Sequence, residues 1–282
     1  MLSGMRRQRP ALLMNRLFRA PCFLDRHRMR YPALVPGVLL RRYKRFLADI
    51  ELEEGREEVV AHCPNTGSMR AVNVPGCRVW LSESTNPARK LGWTWELIEL
   101  PDGKGGVEWA SVHTGRTNAL VEEALHDEII PELAGFDELK REVGVEGARL
   151  DFRLRDANAR DTFVEVKQVT LKENDGHGYF PDSISERGRR HLEVLAELVD
   201  QGHRGVLLFC AAHTGIDDVA PAAHLDPAYA QALRAVAARG VEVLAYGCRV
   251  TWAEGRPGAM TLDRRLNVDL ERCWPGSEVE SR

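Results

Sequence analysis

The sequence predicts a molecule of two folded regions, an all-β region followed by a mixed α/β domain. Between Gly37 and Ser111, short β-prone segments alternate with turns rich in Gly, Pro and Asp, a spacing typical of a small closed barrel. From Thr117 onward, segments with helical periodicity alternate with apolar strands, which favours a mixed sheet covered by helices. We therefore expect a barrel over residues 34–112 and an α/β domain over residues 113–272.

The barrel region holds five predicted strands, and an OB-like barrel is the simplest closed arrangement for them. Its first strand is expected to include "LLRRYKRFL", in which basic and aromatic side chains alternate. OB-type surfaces use cations to bind phosphates and aromatic rings to stack on bases. The alternative is a charged strand whose aromatic side chains lie in the barrel core.

Both ends of the chain differ from the rest. Residues 1–33 carry eight arginines and a single acidic residue, Asp25, and lack the apolar core of a signal peptide. This basic extension is expected to be disordered, or to precede a true start codon near Met29. A basic arm that binds nucleic acid is the other interpretation. Residues 273–282 are expected to form a tail.

The composition, with 44% hydrophobic and 29% charged residues, is that of a soluble globular protein. A membrane span is not expected, because the sequence has no run of about 18 apolar residues. The six cysteines are scattered without a CxxC pair, which favours free thiols in a reducing cytoplasm over a zinc site. Because the net charge is −3, any surface that binds nucleic acid must be local.

The α/β domain is expected to begin with a helix over "NALVEEALHDEII", capped by Asn118. A second helix is predicted in "PDSISERGRRHLEVLAELVDQG", where Ser183 and Glu186 have the spacing of a capping box. Ile184 would belong to the buried stripe of that helix. A fully buried strand, "GVLLFCAA", a third helix, another strand and a terminal hairpin complete the prediction.

Between the first two helices, residues 149–154 and 163–170 are predicted to form a β-hairpin around the loop 155–161. If the hairpin is symmetric about Asn158, Asp151 and Glu165 lie directly opposite each other, with Cβ atoms roughly 5 Å apart. Lys167 points to the same face. Two close carboxylates are costly unless a cation or a shared proton separates them.

Such a pair suits Mg²⁺, which takes oxygen ligands and often only one or two protein carboxylates. A neighbouring lysine can hold the attacking water or offset charge that grows on a phosphorus-centred transition state. The simpler interpretation is a surface hairpin in which Lys167 neutralises Glu165.

The helix, the D…ExK hairpin and the α/β crossover resemble the PD-(D/E)XK nuclease superfamily. From about Gly37 to Leu270 the chain also resembles the sugar fermentation stimulation protein family. The resemblance implies an OB-like N-terminal domain, a nuclease-like C-terminal domain and DNA binding. Eight blocks carry it in one order: "RYKRFLADIEL" (42–52), "AHCPNTGSM" (61–69), "NPARKLGWTWELIE" (86–99), "TNALVEEAL" (117–125), "RLDF" (149–152), "EVKQVTL" (165–171), "YFPDSISERGRRHL" (179–192) and "GVEVLAY" (240–246).

Carried over by position, Asp151 and Glu165 would hold Mg²⁺ or Mn²⁺ and Lys167 would assist the attacking water. Gln168 matches the ExKQ form of some superfamily members. The helical glutamate of the superfamily corresponds to Glu123, although the helical periodicity places Glu122 nearer the edge of the buried face. The residues expected to form the catalytic site are therefore Asp151, Glu165, Lys167, Gln168 and Glu123.

Nucleic-acid contacts are expected from three places: the interleaved basic residues of the barrel, the polar turn "HCPNTGSM" and the basic edge of "SERGRRHL". The structural alternatives are a charged strand, a tight barrel turn and a solvated helix face. The candidates are Arg42, Lys44, Arg45, His62, Asn65, Thr66, Ser68, Arg89, Lys90, Arg187 and Arg190.

The sequence therefore predicts a cytoplasmic DNA-binding protein whose C-terminal domain is a divalent-metal-dependent phosphodiesterase. The alternative is a non-catalytic, DNA-binding regulator of sugar-metabolism genes on an inactive nuclease fold. The sequence is compatible with DNA or RNA, single- or double-stranded, as the substrate.

Overall fold

The computed structural model describes residues 29–272. Most of the predicted basic extension and the predicted C-terminal tail lie outside these residues. The described end of the extension packs against the C-terminal domain, where the N–H of Tyr31 donates to the Gly258 carbonyl at 2.9 Å. No helix within residues 29–272 is both long and apolar enough to cross a membrane. The cysteines described, Cys63, Cys77, Cys210 and Cys248, are free thiols.

The N-terminal region forms the predicted OB-like barrel, with six strands in the described chain. Their order in the sheet is β3-β2-β1-β4-β5-β6, and a parallel pairing of Ala61 with Trp93 joins β3 to β5 and closes it. The strands are β1 (Leu34–Tyr43), β2 (Leu47–Leu52), β3 (Glu58–His62), β4 (Arg78–Glu83), β5 (Trp93–Pro101) and β6 (Val107–Ser111).

The prediction of one continuous strand through "LLRRYKRFL" is wrong, because the chain turns at residues 44–46 between β1 and β2. Lys44 and Arg45 have φ angles of 49° and 65°, a left-handed conformation that side chains other than Gly, Asn and Asp rarely adopt. Because neither Lys nor Arg is a residue type that favours turns, the turn could not be predicted from the sequence. We call residues 44–46 the hairpin tip; its two cations stand out from the barrel.

The C-terminal domain is a mixed sheet with helices on both faces. Within the described chain its order is β10-β11-β13-β15-β14-β12-β9-β8-β7, and β12 lies between β9 and β14 in parallel. The elements are α1 (Thr117–His126), β7 (Glu138–Val145), β8 (Ala148–Arg155), β9 (Asp161–Val169), β10 (Leu171–Lys172), β11 (Gly178–Phe180), α2 (Glu186–Asp200), β12 (Arg204–Ala211), β13 (Asp218–Pro221), α3 (Pro227–Ala238), β14 (Glu242–Ala253) and β15 (Arg256–Val268).

Alternate residues of β12 enter two different hydrophobic clusters, which explains its unbroken apolar run. Leu208 packs in the cluster that contains α1, whereas Leu207 packs in the cluster that contains α2 and α3. The prediction of a fully buried strand is confirmed, since only Arg204 at its start reaches the surface. This central position of β12 fixes its neighbour β9, which carries the candidate site.

Both predicted helix caps differ from the structure. The cap of α2 is Ser185, whose hydroxyl accepts the N–H of Gly188, because the helix begins at Glu186 and leaves Ser183 outside it. Ile184 therefore precedes the helix and is 71% exposed rather than buried. Asn118 lies inside α1 and caps nothing.

The two domains share a packed interface rather than a flexible linker. Trp80 and Trp109 of the barrel lie in the same hydrophobic cluster as α1, and Trp252 from the tip of the β14–β15 hairpin packs edge-on against both. The buried carboxylate of Glu96 in β5 accepts two hydrogen bonds from Arg116, each at 2.6 Å. These contacts hold one end of the barrel against α1 and the β14–β15 hairpin.

Candidate active site

The predicted hairpin and its symmetry are confirmed by the pairing of β8 with β9. Phe152 pairs with Val164 and Leu154 with Thr162, so the ladder is centred on Asn158. The next pair in this register is Asp151 and Glu165. Beyond Phe152 the side chain of Asp151 takes the place of a backbone acceptor, because its Oδ2 accepts the N–H of Val166 at 2.7 Å.

Asp151 is held by two hydrogen bonds at a partly buried position. Besides Val166, the Asn118 side-chain NH₂ donates to Asp151 Oδ1 at 2.7 Å. Burial raises the pKa of the Asp151 carboxyl, and the charge of Glu165 raises it further, while the two hydrogen bonds and Lys167 act in the opposite direction. The two carboxylates are thus close enough to repel each other.

Glu165 is 3% exposed, and its two oxygens differ sharply. Oε1 accepts the Nδ1–H of His191 at 2.5 Å and also contacts the Lys167 ammonium. Oε2 is buried and has no hydrogen-bond partner in the described chain. Burial alone would raise the pKa of this carboxyl, but His191 and Lys167 outweigh it and lower the pKa. Glu165 is therefore an anion whose buried Oε2 has no hydrogen-bond partner in the described chain.

His191 was absent from the predicted site, yet it is the principal partner of Glu165. Its Nε2 accepts the Nε–H of Arg187 at 3.3 Å, which assigns the ring proton to Nδ1. The signal in the sequence was the i,i+4 spacing of Arg187 and His191 on one helix face. Arg187, predicted to contact nucleic acid, uses its Nε within the protein.

Gln168 connects the two domains through hydrogen bonds from both ends of its side-chain amide. Its NH₂ donates to the Ser111 carbonyl at 2.6 Å, and its Oε1 accepts the Thr117 hydroxyl at 2.9 Å. Both ends of the amide are thus engaged away from the carboxylate pair. Gln168 positions β9 against the barrel and α1.

The two candidates for the helical glutamate are both half-buried in α1. Glu122 forms an ion pair with Arg141, with 3.1 Å between Oε2 and Nη1. Exposure does not separate the two glutamates, so the assignment of Glu123 stays a prediction.

Asp151 and Glu165 fit a hard divalent cation. Within residues 29–272, no group of three or more His, Cys, Asp or Glu side chains is placed to hold a metal. Two carboxylates are enough for Mg²⁺, which keeps several waters. The fit rests on the buried Oε2 of Glu165, which has no hydrogen-bond partner in the described chain, and on Asp151, whose pKa is raised first by burial and then by the charge of Glu165. A cation between the two carboxylates would offset both effects.

A cavity of about 270 Å³ lies between the domains beside this pair, and we call it the interdomain cavity. Barrel, α1 and β9 residues share its walls. It is lined by Asn65, Gly67, Thr114, Thr117, Asn118, Val166, Lys167, Gln168, Thr170, Leu171, Tyr179, Phe180 and Asp182.

The barrel wall of the cavity is the polar turn after β3, residues 63–69, which we call the 63–69 loop. Arg42 stabilises it by donating from Nη2 to the carbonyls of Asn65 and Gly67, at 2.8 and 3.0 Å. The Ser68 hydroxyl donates to the Asp182 carbonyl at 2.8 Å. Arg42 and Ser68, predicted to contact nucleic acid, thus make hydrogen bonds within the protein, although Ser68 is exposed, as is Thr66.

The remaining residues predicted to contact nucleic acid lie at one end of the barrel or on α2. Lys44 and Arg45 are exposed at the hairpin tip, which lies beside His62 because Leu47 pairs with His62. Arg89 Nη2 lies 3.4 Å from His62 Nδ1, and burial followed by this cation lowers the pKa of His62. Lys90 is exposed next to Arg89, and Arg190 is exposed on α2.

The chain matches two family models that together span most of its length. Residues 40–112 match the SfsA N-terminal OB domain, and residues 115–254 match the sugar fermentation stimulation protein RE domain. A sugar fermentation stimulation protein homolog of Chromohalobacter salexigens is 69% identical over 245 residues, covering 86% of this chain and 96% of that protein. A homolog from Shewanella is 54% identical over 222 residues, covering 78% of this chain and 92% of that protein.

A solved structure, Pyrococcus furiosus SfsA in complex with Ca²⁺, superposes with a TM-score of 0.75 at 27% identity. The match covers 86% of this chain and 99% of that chain. The barrel is therefore an OB domain, and the mixed sheet is the RE domain of the sugar fermentation stimulation proteins. From these matches, the chain belongs to the sugar fermentation stimulation protein family.

Proposed function

We propose that this protein binds DNA and hydrolyses a phosphodiester bond at Asp151, Glu165 and Lys167, with the help of a divalent metal ion. The observation that carries the proposal is the idle, buried Oε2 of Glu165 next to a second carboxylate and an ammonium group. A purely structural ion pair would need only Oε1. The Ca²⁺ complex of Pyrococcus furiosus SfsA supports a hard divalent cation.

The residues around the pair would keep it in place for such a cation. Asn118 and the Val166 N–H fix the plane of the Asp151 carboxylate, and His191 fixes that of Glu165. Bound there by Asp151 and Glu165, Mg²⁺ or Mn²⁺ would polarise the phosphate and lower the pKa of water. Fixing these ligands before the substrate arrives reduces the reorganisation that catalysis requires.

Lys167 would work on the substrate side, since it lines the interdomain cavity. Once a cation binds Glu165, the ammonium group no longer has to neutralise that carboxylate. Lys167 Nζ could then donate hydrogen bonds to the attacking water or to a phosphate oxygen, where negative charge grows in the transition state.

The barrel would hold the strand. The hairpin tip supplies Lys44 and Arg45, and Arg89 and Lys90 follow beside His62, so several cations lie on the same end of the barrel. Binding through these residues predicts an affinity that falls as salt rises.

The test is a cleavage assay on labelled single- and double-stranded DNA and RNA with Mg²⁺ or Mn²⁺. Wild type is compared with Lys167→Ala and with Lys104→Ala, an exposed lysine in the β5–β6 turn, as the control. We expect metal-dependent scission by wild type and the control, and its loss in Lys167→Ala. DNA binding without scission in either metal would overturn the catalytic proposal and favour a non-catalytic DNA-binding regulator.

A further inference from the structure

We propose that the interdomain cavity accepts one unpaired nucleobase, so the substrate is a strand with at least one base outside a duplex. This inference rests on the proposed function and specifies its substrate class. It follows from the position, size, charge and access of the cavity.

The position of the cavity ties its occupant to the chemistry. Lys167 lines the cavity and contacts Glu165, and Asn118 lines it while donating to Asp151. A base held there would therefore leave its own phosphodiester next to the carboxylate pair. On the opposite wall, Asn65 and Gly67 of the 63–69 loop would contact the other edge of the base.

The size of the cavity excludes a double helix. Pockets for drug-sized ligands span about 300–1,000 Å³. At about 270 Å³, this cavity is at or below the lower limit, which suits one heterocycle with part of its sugar. A base can enter only if it is unpaired or has left its stack, as enzymes that act on extruded nucleotides require.

The charges favour a neutral ring over a phosphate. Among the lining residues, Lys167 is the cation and Asp182 the anion, and each already has a protein partner. The Asp182 carboxylate accepts the Met69 N–H at 2.9 Å, and its negative charge would repel a phosphate. Asn65 uses its Oδ1 on the Gly67 N–H, which leaves its NH₂ group as a donor for an occupant.

The apolar part of the wall comes from Val166, Leu171 and two aromatic residues. Tyr179 and Phe180 both line the cavity, and the Tyr179 hydroxyl is bound to Asp175 at 2.6 Å, away from any ligand. Stacking on aromatic side chains stabilises a bound base by about 1–3 kcal/mol. The combination of rings and neutral hydrogen-bonding groups matches a nucleobase.

A single strand can reach the cavity along the barrel. Phe46 at the hairpin tip is 48% exposed next to the exposed cations Lys44 and Arg45, and its carbonyl accepts the Cys63 N–H at the start of the 63–69 loop. Exposed rings among cations are the usual surface for single strands. The hairpin tip therefore leads directly to the loop that forms one wall of the cavity.

The test fills the cavity without removing any group from it. Gly67 lines the cavity, its φ is not in the left-handed region, and an added Cβ would lie 3.0 Å from Asn65 Oδ1 and 3.4 Å from Asp182 Oδ2. Gly67→Leu therefore needs a small adjustment of those side chains and occupies the space. Gly144→Leu, on the exposed edge of β7 with open space around its Cβ, is the matched control.

Affinities for a labelled single strand and for the matched duplex are measured by fluorescence anisotropy in EDTA, so that cleavage does not interfere. We expect wild type and Gly144→Leu to bind the single strand about tenfold more tightly, an energy within the range for stacking one base. Gly67→Leu should lose this preference and keep its affinity for the duplex. Thermal melts verify folding, and Thr114→Phe, at another residue that lines the cavity, fills the same space if Gly67→Leu is unfolded.

The outcomes separate the two proposals. Equal binding of single strand and duplex by wild type would overturn the cavity inference alone, as would an unchanged preference in a folded Gly67→Leu protein. Failure of wild type to bind any nucleic acid would overturn the proposed function as well.

Discussion

Replacing His191 with phenylalanine separates the positioning of Glu165 from simple packing. His191 is 5% exposed, and phenylalanine has a similar size, so His191→Phe removes the Nδ1–H donor while largely keeping the volume. Glu165 Oε1 would then keep only Lys167 as a partner, and its carboxylate could rotate.

The magnitude follows from the contacts that disappear. A hydrogen bond to a charged group contributes about 1.5–3 kcal/mol, so the free energy of unfolding should fall by about that amount. The lost donation from Arg187 adds little, because Arg187 is exposed and water can replace its acceptor. Removing a side chain that orients a metal-binding carboxylate typically lowers metal affinity about 10–100-fold.

Two measurements are needed: urea unfolding followed by circular dichroism, and isothermal titration with Ca²⁺. The control is His203→Phe, the same change at a histidine that packs on Phe163 after α2, away from the site. The control should keep wild-type Ca²⁺ affinity. If His191→Phe loses stability but binds Ca²⁺ as wild type does, His191 only packs and the positioning role is refuted.

Three further predictions concern stability. Burial, and then the charge of Lys172, lower the pKa of His213 from 6.5 to about 4. Between these two pH values, the unfolded chain therefore binds a proton at His213 and the folded protein does not. As pH falls from about 6.5 to 4, the free energy of unfolding of wild type, measured by urea titration, should fall by up to about 3 kcal/mol more than that of His213→Asn. An equal fall in both proteins would contradict this. Arg116→Met leaves the Glu96 carboxylate, 1% exposed, without its cation and should cost about 3–5 kcal/mol in the same assay; a loss below 1 kcal/mol, the range of surface pairs, would contradict it. Saturating Ca²⁺ at a hundred times its Kd should stabilise wild type by about 2.7 kcal/mol. Asp151→Asn should abolish that gain, and an equal gain in both proteins would place the ion elsewhere.

The sequence predicts the hairpin well because its determinants are local. Alternating residues fix which side chains share a face, and the turn-prone residues around Asn158 fix the register, so Asp151 meets Glu165 as expected. The OB-like barrel and the buried strand β12 follow from the spacing of turns and from an unbroken apolar run.

The missed features are contacts between distant parts of the chain. Asn118 is of a residue type that often caps helices, but its side-chain NH₂ instead donates a hydrogen bond to Asp151, 33 residues away. His191 meets Glu165 only because α2 packs across β9. The interdomain cavity is invisible to any single motif, since its walls come from the 63–69 loop, α1, β9 and the segment around Asp182, which are far apart in the sequence.

The most direct test of the central claim is the binding of Mn²⁺ itself, followed by isothermal titration for wild type, Asp151→Asn and Glu165→Gln. Both substitutions keep the shape of the side chain and remove its charge. We predict one Mn²⁺ bound per wild-type chain and loss of this binding in each variant. Binding of Mn²⁺ with the same stoichiometry and affinity by all three proteins would contradict the assignment of these carboxylates as the metal site.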